Sequence, residues 1–350
     1  MAVRAVLLTG FGGPERLEYR TDVADPRPAP GEVRVRVAAT ALNNADIWTR
    51  EGAYGSPRDP SSNAGWRREA LRFPRIQGAD IAGYIDEVGS GVPGSRIGAR
   101  VLVDPMIYDG GERELVENEY VGSERDGGFA EFVTVPAGNA HQISSSLSDA
   151  ELATFPTAYT TAMRMLNRAR VQPGETVLVT GASGGVGSAL IQLANVRRAK
   201  VVAVAGAAKR RQALELGAIA AIDRHTTDWV AEVAAVLGDQ PVDVVADVVA
   251  GPAFTDLLRL LRPLGRYVVA GAMAGPLVET DLRTVYLKQL ELIGSSFGSH
   301  EDFAQMIEHI TAGELRPLLA ATYPLHELAA AQERFVAKDF FGKIVVLPGE

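Results

Sequence analysis

Cysteine is absent from this chain of 350 residues, so disulfides are impossible and stability has to come from packing. The same absence excludes zinc sites that use thiolates, whether structural sites with four cysteines or catalytic sites that mix Cys and His. The chain has five histidines, and no two of them lie three or four residues apart, the spacing of a ligand pair on a helix. We therefore expect no metal, and a site assembled from distant His, Asp and Glu side chains is the remaining alternative.

Long apolar runs and concentrated positive charge are missing as well. No run approaches the length of a membrane span, and the first residues are too few and too mixed in character for a signal peptide. The net charge is −8 and the Lys and Arg residues are spread along the chain, whereas phosphate binding needs a concentrated basic face. We expect a cytoplasmic protein that binds neither nucleic acid nor a membrane.

Short β patterns dominate residues 1–146. Val33, Val35 and Val37 alternate with polar residues, which is the period of a half-buried strand. Pro, Gly and Asp cluster between the strand-like segments, as turns require. The other predicted strands are 3–8, 80–88, 100–103 and 129–135. This stretch predicts a barrel-like, mostly antiparallel β domain.

Residues 147–296 alternate between helical and strand patterns. Ser148 and Glu151 form a capping-box pattern for a helix that is predicted to continue to about Arg168. Beyond it, near-continuous Val, Ile and Ala segments alternate with helices, which predicts a parallel sheet covered on both faces. The predicted strands are 176–180, 200–205, 242–249, 266–270 and 291–293, and the predicted helices are 186–198, 208–216 and 253–261.

Residues 297–350 contain two helical patterns and a final strand at 343–347. They are too few for a domain of their own, so we expect them to complete the first one. The predicted fold class is α/β. A doubly wound α/β domain at 147–296 is expected beside a barrel-like, mostly antiparallel β domain built from 1–146 and 297–350.

The strongest chemical signal is the glycine-rich stretch at 180–188, which follows an apolar strand and opens a helix. Glycine lets the backbone approach a pyrophosphate, Gly187 allows the helix to pack closely, and the helix N-terminus favours negative charge. The predicted phosphate-binding residues are Ser183, Gly184, Gly185 and Val186. Ala182 replaces the first glycine of the usual fingerprint. The alternative is a glycine turn of purely structural use.

The next predicted strand ends without a carboxylate. An acid there would bind the ribose hydroxyls of NAD, whereas cations would pair with the 2′-phosphate of NADPH. Gly206 is followed by Lys209, Arg210 and Arg211. We therefore predict that Gly206, Lys209 and Arg210 bind NADPH in preference to NADH. The alternative is that these cations coat the start of a helix, although cations there oppose the helix dipole.

Together these features resemble the zinc-free quinone oxidoreductase-like branch of the medium-chain dehydrogenase/reductase superfamily. The resemblance covers nearly the whole chain and rests on several blocks in one order. Besides the glycine turn, the blocks are 43–46 (NNAD) with Arg50 and Gly52, 78–83 (GADIAG), 88–92 (VGSGV), 126–131 (DGGFAE), 216–218 (LGA) and 342–345 (GKIV). The resemblance implies a GroES-like catalytic domain at 1–146 and 297–350, a Rossmann NADPH-binding domain at 147–296, and an NADPH-dependent oxidoreductase.

The departures from zinc-dependent relatives bear on the reaction. Those relatives place a cysteine ligand where this chain has Asn43, and a histidine ligand where it has Ala79. Without a Lewis acid, oxidation of a simple alcohol loses its usual driving group. The resemblance implies instead that hydride passes from NADPH to a quinone or an α,β-unsaturated carbonyl, whose conjugation stabilises the developing negative charge.

Four residues are candidates for the acceptor site. Asn43 and Asn44 can donate amide N–H groups to an oxygen without titrating, or each can hold a turn. Related reductases often carry a Tyr at the position of Tyr54, where a phenol can donate to an oxyanion or simply line the rim. Trp48 stands where many relatives have Tyr, so it is either a stacking surface for an aromatic acceptor or a core residue.

The resemblance also implies cofactor contacts outside the glycine turn. They are Thr160, Ala270, Gly271, Phe297 and Lys343. Asp46 and Asp80 lie in the matching blocks, and we expect them to hold loops by accepting backbone hydrogen bonds. NADPH is expected in the cleft between the domains, with its hydride towards the acceptor site.

The sequence leaves alternatives open for one loop and for the function as a whole. The loop at 54–75 is rich in arginine, which is typical of a clamp for an acidic tail and equally of a solvated loop. The second functional hypothesis is a non-enzymatic NADPH-binding sensor or partner-binding protein on the same fold. We expect a small-molecule acceptor and, as in relatives, a homodimer or homotetramer.

Overall fold

The computed structural model describes residues 2–53 and 71–350, which form two compact units. The first unit lies within residues 1–157 and 299–350, and the second is residues 158–298. The described strands are β1 (Ala2–Leu8), β2 (Leu17–Ala24), β3 (Glu32–Ala41), β4 (Arg75–Ile76), β5 (Asp80–Val88), β6 (Arg100–Val103), β7 (Met106–Ile107), β8 (Glu119–Tyr120), β9 (Phe132–Pro136), β10 (Ala140–Gln142), β11 (Thr176–Val179), β12 (Lys200–Ala205), β13 (Ala220–Asp223), β14 (Val242–Asp247), β15 (Leu261–Val269), β16 (Glu291–Gly294), β17 (Leu319–Pro324) and β18 (Lys343–Leu347).

The described α-helices alternate with these strands in the second unit and are sparse in the first. They are α1 (Asn44–Arg50), α2 (Glu112–Val116), α3 (Asp149–Leu152), α4 (Pro156–Arg168), α5 (Gly185–Val196), α6 (Arg210–Glu215), α7 (Trp229–Leu237), α8 (Phe254–Leu260), α9 (Leu282–Leu287), α10 (His300–Thr311) and α11 (Leu328–Ala337). None of them is long and apolar enough to cross a membrane.

The first unit is built on mostly antiparallel sheets. The largest has the strand order β10-β6-β5-β3-β18-β17, and β9 pairs with the N-terminal half of β3. Val33, Val35 and Val37 of β3 are buried and pack into a core with residues of β5, β6 and β9. Burial of each such side chain contributes about 1.5–3 kcal/mol relative to exposure. The predicted alternation of β3 is therefore confirmed.

The C-terminal strand β18 joins the N-terminal residues in this sheet. It pairs antiparallel with β3 through Val345 opposite Ala41, and the N–H of Leu42 donates to the carbonyl of Ile344 at 2.9 Å. This register brings the start of β18 beside the residues that follow β3. Two blocks about 300 residues apart in sequence thus become neighbours.

The second unit is a parallel sheet with the strand order β13-β12-β11-β14-β15-β16. Every residue of β14 is buried, as the near-continuous apolar run predicted. The order reverses between β11 and β14, and in open α/β sheets ligands bind at the carboxyl ends of the strands near such a reversal. The predicted α/β fold class, with one parallel and one mostly antiparallel part, is confirmed.

Several predicted elements differ in detail. The single helix predicted from 148 to about 168 is wrong: α3 ends at Leu152 and α4 begins at Pro156. Pro156 has no N–H to continue the helix, and a proline disfavours helical backbone in the residue before it. The sequence patterns did not predict β2, β13, α7, α9 or β17, nor the short elements β4, β7, β8, β10, α1 and α2. β2 was missed because nearly all its side chains are exposed and carry no apolar alternation.

Large apolar side chains are exposed on α9, just before it and on the edge strand β16. Leu277 is 81% exposed and Leu287 is 72% exposed. Leu282, Tyr286 and Leu292 are also exposed. Soluble proteins rarely leave such a patch and an unpaired strand edge together unless a partner covers them.

Candidate active site

The glycine-rich stretch forms the turn between β11 and α5. Gly184 caps the N-terminus of α5, and its N–H donates to the carbonyl of Gly181 at 3.0 Å. Gly181 has a φ of +57°, which favours glycine. A Cβ on Gly187 would overlap the carbonyl oxygen of Gly181, so glycine is needed for α5 to pack this closely on the turn. Ala182, at the position of the missing glycine, is fully buried.

The N-terminus of α5 is open on its outer side. Gly184 is exposed, and the nearest protein atom to a Cβ built on it would be the carbonyl oxygen of Gly181, 3.5 Å away. Packing therefore gives no reason for glycine here, whereas a ligand that approaches the backbone would. Ser183, Gly185 and Val186 are only partly buried beside it. All four predicted residues thus lie at one accessible helix N-terminus, an arrangement suited to phosphate groups.

Cations lie at the carboxyl end of β12. Gly206 precedes a 3-10 turn that ends at Lys209, and Arg210 begins α6. The Arg210 side chain is about half exposed. Its Nε donates to the carbonyl of Ala221 at 2.6 Å, and a terminal nitrogen lies 4.0 Å from the Glu232 carboxylate. Arg210 is thus anchored to β13 and α7 while part of its guanidinium stays exposed.

A further cation at this edge, Arg224, was missed by the sequence analysis. Asp223 ends β13 and pairs with Ala205, the last residue of β12. The N–H of Arg224 donates to the Ala205 carbonyl at 2.9 Å, and the exposed Arg224 Nε lies 3.1 Å from Nε2 of His225. The pattern of β13 could have identified it, but four residues are too few for a periodicity argument.

The residues expected near the nicotinamide lie at two further strand ends. Ala270 follows β15, and its N–H donates to the carbonyl of Asp247 at 3.0 Å. A Cβ on Gly271 would lie 3.0 Å from the carbonyl oxygen of Val248, so the two segments run side by side.

Thr160 and the segment that follows β16 are packed directly together. A Cβ on Gly298 would overlap the side chain of Thr160, so only glycine allows this approach. Thr160 is buried in α4, and Phe297 is half-buried beside Gly298. The structure therefore brings together two residues that the sequence separates by more than a hundred positions.

Asp247 is a buried hub that the sequence analysis did not identify. Its carboxylate accepts hydrogen bonds from the Thr180 hydroxyl at the end of β11 and from the Tyr267 hydroxyl in β15. It also accepts from the N–H of Val249 at 2.7 Å. Burial and the nearby carboxylate raise the pKa of Tyr267, so the phenol stays a donor. Asp247 thus fixes the ends of three neighbouring strands.

In the first unit, four buried polar residues form one cluster, which we call the Lys343 cluster: Asn43, Asp46, Asp80 and Lys343. The Lys343 ammonium donates to Asn43 Oδ1 and lies 2.9 Å from Asp80 Oδ2. The Asn43 N–H donates to Asp46 Oδ2 at 2.7 Å, at the start of α1. Asp80 Oδ1 accepts from the N–H of Thr157 at 2.8 Å. Both aspartates accept backbone hydrogen bonds, as expected for loop-holding residues.

The Lys343 cluster holds two carboxylates and one ammonium out of water. Burial raises the pKa of Asp46 to about 7, and the negative charge of Asp80 adds to the rise. The hydrogen bond from the Asn43 N–H and the positive charge of Lys343 act in the opposite direction and lower this pKa. Removing charges from water is costly unless they are paired, so Lys343 and Asp80 are best regarded as an ion pair.

The carboxamide of Asn43 has one defined orientation and one unpaired donor. Lysine can only donate, so the amide oxygen has to face Lys343. The Nδ2 group is then directed elsewhere, and it is buried without a hydrogen-bond partner. A buried unpaired donor costs about 1–3 kcal/mol, so this group needs an explanation.

The remaining acceptor-site candidates lie on or beyond the same helix. Asn44 is the first residue of α1, and its Oδ1 accepts from Lys338 Nζ at 2.9 Å. Trp48 is half-buried in α1, and its carbonyl accepts from the N–H of Ala53 at 2.9 Å. Tyr54 and most of the arginine-rich loop lie outside the described residues. At the end of that loop, Arg75 pairs with Asp126 at 2.8 Å.

Comparison with known proteins identifies the family. A family model described as an alcohol dehydrogenase GroES-like domain matches residues 29–145, and one described as a zinc-binding dehydrogenase matches residues 185–312. A quinone oxidoreductase from Rattus norvegicus is 30% identical over 354 residues, covering 99% of this chain and 98% of the relative. The chain belongs to the medium-chain dehydrogenase/reductase superfamily. The predicted family is therefore confirmed, and the protein is an oxidoreductase of this superfamily.

Solved structures of the superfamily match the same fold. A putative alcohol dehydrogenase from Sinorhizobium meliloti 1021 is 54% identical, with a TM-score of 0.94 over 99% of this chain and 96% of its own. A 2-octenoyl-CoA carboxylase reductase, solved with NADP and 2-octenoyl-CoA, is 26% identical, with a TM-score of 0.86 over 99% of this chain and 87% of its own. These matches confirm the GroES-like and Rossmann parts of the predicted fold.

The superfamily includes zinc-binding dehydrogenases, but the residues that the structure describes in this chain do not fit a zinc ion. The chain has no cysteine, and the described residues contain no cluster of three His, Asp or Glu side chains that could hold a metal. The Lys343 ammonium contacts Asn43, the residue that replaces the cysteine ligand, and a cation there would repel a divalent metal.

Proposed function

We propose that the protein reduces a quinone or an α,β-unsaturated carbonyl with NADPH and without zinc. The observation that carries this proposal is the unpaired Nδ2 donor of Asn43, held in place by Lys343. A donor that does not titrate suits an acceptor oxygen that gains negative charge during reduction. The identification of a rat quinone oxidoreductase as a full-length relative supports the same chemistry.

The second unit has residues that fit a nicotinamide dinucleotide. We assign the pyrophosphate to the open N-terminus of α5, at Ser183, Gly184, Gly185 and Val186. We assign the nicotinamide end to Thr160, Ala270, Gly271 and Phe297. Ala270 and Gly271 follow β15, Phe297 lies after β16, and Thr160 of α4 packs against Gly298. When bound, the cofactor supplies the hydride, and the protein holds and orients it.

The preference for NADPH over NADH rests on the cations at the ends of β12 and β13. Lys209, Arg210 and the newly identified Arg224 lie at this edge, where Gly206 leaves open space. A 2′-phosphate carries charge that such groups bind by charge-assisted hydrogen bonds, each worth about 1.5–3 kcal/mol. A ribose hydroxyl offers them much less.

The first unit supplies the acceptor site. Asn43 Nδ2 donates to the acceptor oxygen, and its loss is expected to cost about 10²–10³-fold in kcat, as for single donors in oxyanion holes. We assign Asn44 as a second amide donor, Trp48 as an aromatic surface beside it, and Tyr54 as a hydroxyl donor. The buried Lys343 cluster excludes water from the Asn43 amide, which strengthens the hydrogen bond from Nδ2 to the acceptor oxygen.

We also propose that the protein is a homodimer. The exposed apolar side chains around Leu282 and Leu287 lie near the edge strand β16, which pairs only with β15 among the described strands. A second copy of the chain would cover both features at once through a two-fold axis. A mass measurement in solution tests this assignment.

The experiment that tests the function is oxidation of NADPH, with NADH in parallel, against quinones, enones and enoyl-CoA thioesters. Asn43→Asp is the matched variant, because Asp keeps the size, the N-cap and an acceptor for Lys343 but removes the donor. We expect NADPH consumption with one acceptor class and a loss of about 10²-fold in kcat for the variant. Tight NADPH binding without consumption would favour a non-enzymatic sensor instead.

A further inference from the structure

We propose that Lys343, with Asp80 as its counterion, is a positioning residue that fixes the Asn43 amide so that Nδ2 stays free for the acceptor. The inference rests on the proposed function, because it assigns how the donor of that site is held. It gives Lys343 a role through Asn43, in place of the direct cofactor contact that the family resemblance implied.

The geometry allows only one arrangement of the amide. The Lys343 ammonium has three donors and no acceptor, and it faces Asn43 Oδ1 and Asp80 Oδ2. A flipped amide would place its NH₂ group against the ammonium, so two donors would face each other. Without Lys343, both orientations become accessible and the donor is shared between them.

The backbone around Lys343 is anchored on both sides. Its own N–H donates to the carbonyl of Leu318 at 2.8 Å, and the next residue, Ile344, accepts from Leu42 at 2.9 Å. Gly342 has a φ of +96°, and a Cβ there would overlap the Leu318 carbonyl. The backbone of Lys343 is therefore fixed at the start of β18, and this fixes the position of its ammonium beside Asn43. Precise orientation of a catalytic group requires such a rigid support.

Asp80 makes the buried ammonium tolerable. It is fully buried, and its second oxygen is tied to the Thr157 N–H. Removal of one partner of a buried ion pair is strongly destabilising, because the other charge is left unpaired. Loss of activity in a Lys343 variant could therefore reflect unfolding, and the test has to separate the two effects.

The test compares Asn43→Ala, Lys343→Met and their double variant, with Lys343→Met/Asp80→Asn as the variant that removes both charges of the ion pair. Lys200→Met is the control, because Lys200 is exposed and its Nζ contacts Gln240. The measured quantities are the melting temperature, the Kd for NADPH, and kcat and KM for the acceptor.

We expect Asn43→Ala, which removes the donor, to lower kcat by roughly 10²-fold. Lys343→Met should lower kcat by a smaller factor, because the donor is then shared between two orientations, and the double variant should lose little beyond Asn43→Ala because both residues act through one donor. Lys343→Met/Asp80→Asn is expected to regain the wild-type melting temperature without regaining kcat. The Kd for NADPH should stay within about twofold of wild type in every folded variant, and Lys200→Met should match wild type throughout.

Two results would overturn the positioning role alone. One is a folded Lys343→Met/Asp80→Asn variant with wild-type kcat. The other is a Kd for NADPH at least tenfold weaker in the Lys343 variants with kcat unchanged, which would make Lys343 a cofactor contact. Absence of acceptor reduction by the wild-type protein would overturn the proposed function, and the positioning role with it.

Discussion

The N–H of Arg224 donates to the carbonyl of Ala205 at 2.9 Å, across the ends of the adjacent parallel strands β13 and β12. The backbone of Arg224 is therefore fixed beside Ala205, the residue that precedes the open glycine Gly206. Arg224 thus adds a third cation to Lys209 and Arg210 at the ends of these two strands.

Arg224→Gln is predicted to weaken NADPH binding by about tenfold, the cost of one charge-assisted hydrogen bond, and to leave NADH binding unchanged. The measurement is the Kd of each cofactor by fluorescence titration. Arg211→Gln is the matched control, because Arg211 is exposed on α6 and faces Glu215 at 3.4 Å. An equal loss for NADH, or no loss for NADPH, would contradict the assignment.

The two glycines of the turn are predicted to respond differently to alanine. Gly187→Ala places a Cβ against the Gly181 carbonyl and should lower the melting temperature by several degrees, by the steric cost of overpacking. Gly184→Ala meets no such clash, so it should melt like wild type but bind NADPH more weakly. Wild-type affinity in Gly184→Ala would show that no ligand approaches this backbone.

Asp46 is predicted to make stability depend on pH. Its pKa is about 7 in the folded protein and 3.8 in an ordinary setting, so the folded state binds a proton that the unfolded state has lost. Its contribution to stability therefore falls as pH rises from about 4 to about 7 and is constant above that range. Urea unfolding of wild type and Asp46→Asn at pH 5 and pH 8 checks this. The variant should gain stability relative to wild type at the higher pH, and a pH-independent difference would contradict the assignment.

His300 is predicted to change stability with pH in the same direction as Asp46, because both groups have a raised pKa in the folded protein. Its Nδ1 lies 2.7 Å from Asp104 and its Nε2 lies 3.2 Å from the carbonyl of Tyr108. Only the imidazolium donates to both, and the hydrogen bond to Asp104 raises the pKa of His300 above 6.5, with Asp109 adding to the rise. The stability it contributes is present below pH 6.5 and is lost as pH rises through the raised pKa.

The matched variant for this site is His300→Phe, because Phe keeps the stacking on the Tyr108 ring, whose centroid lies 4.1 Å away. His141 lies close by, and burial lowers its pKa. The unfolding free energy of wild type and of His300→Phe is measured at pH 5.5 and at pH 8.5. The difference between the two proteins should be larger at pH 5.5. A larger difference at the higher pH would contradict the assignment of His300 as an imidazolium.

The core of the fold was predictable because its signals are local. β5, β12 and β18 carry apolar runs between turn residues, and the glycine turn lies between a strand and a helix as its motif requires. β13 has four residues and was missed, so Arg224 could not be placed beside Ala205. Short elements and exposed strands such as β2 lack the periodicity on which such predictions depend.

The site was predictable residue by residue but not as an arrangement. Asn43 and Lys343 were both candidates, yet nothing local indicates that an ammonium from the last strand orients an amide that follows β3. That contact depends on the register of β18 against β3. The role of Asp247 was missed for the same reason, because its donors lie on two other strands.

The most direct test of the central claim is hydride transfer itself, measured with NADPH deuterated at the transferred position of the nicotinamide. We expect acceptor-dependent oxidation that is slowed by deuterium on one face of the ring, with the deuterium recovered on carbon when the acceptor is an enone. Binding of NADPH without oxidation by any quinone or enone would show that the protein does not transfer hydride to this class of acceptor.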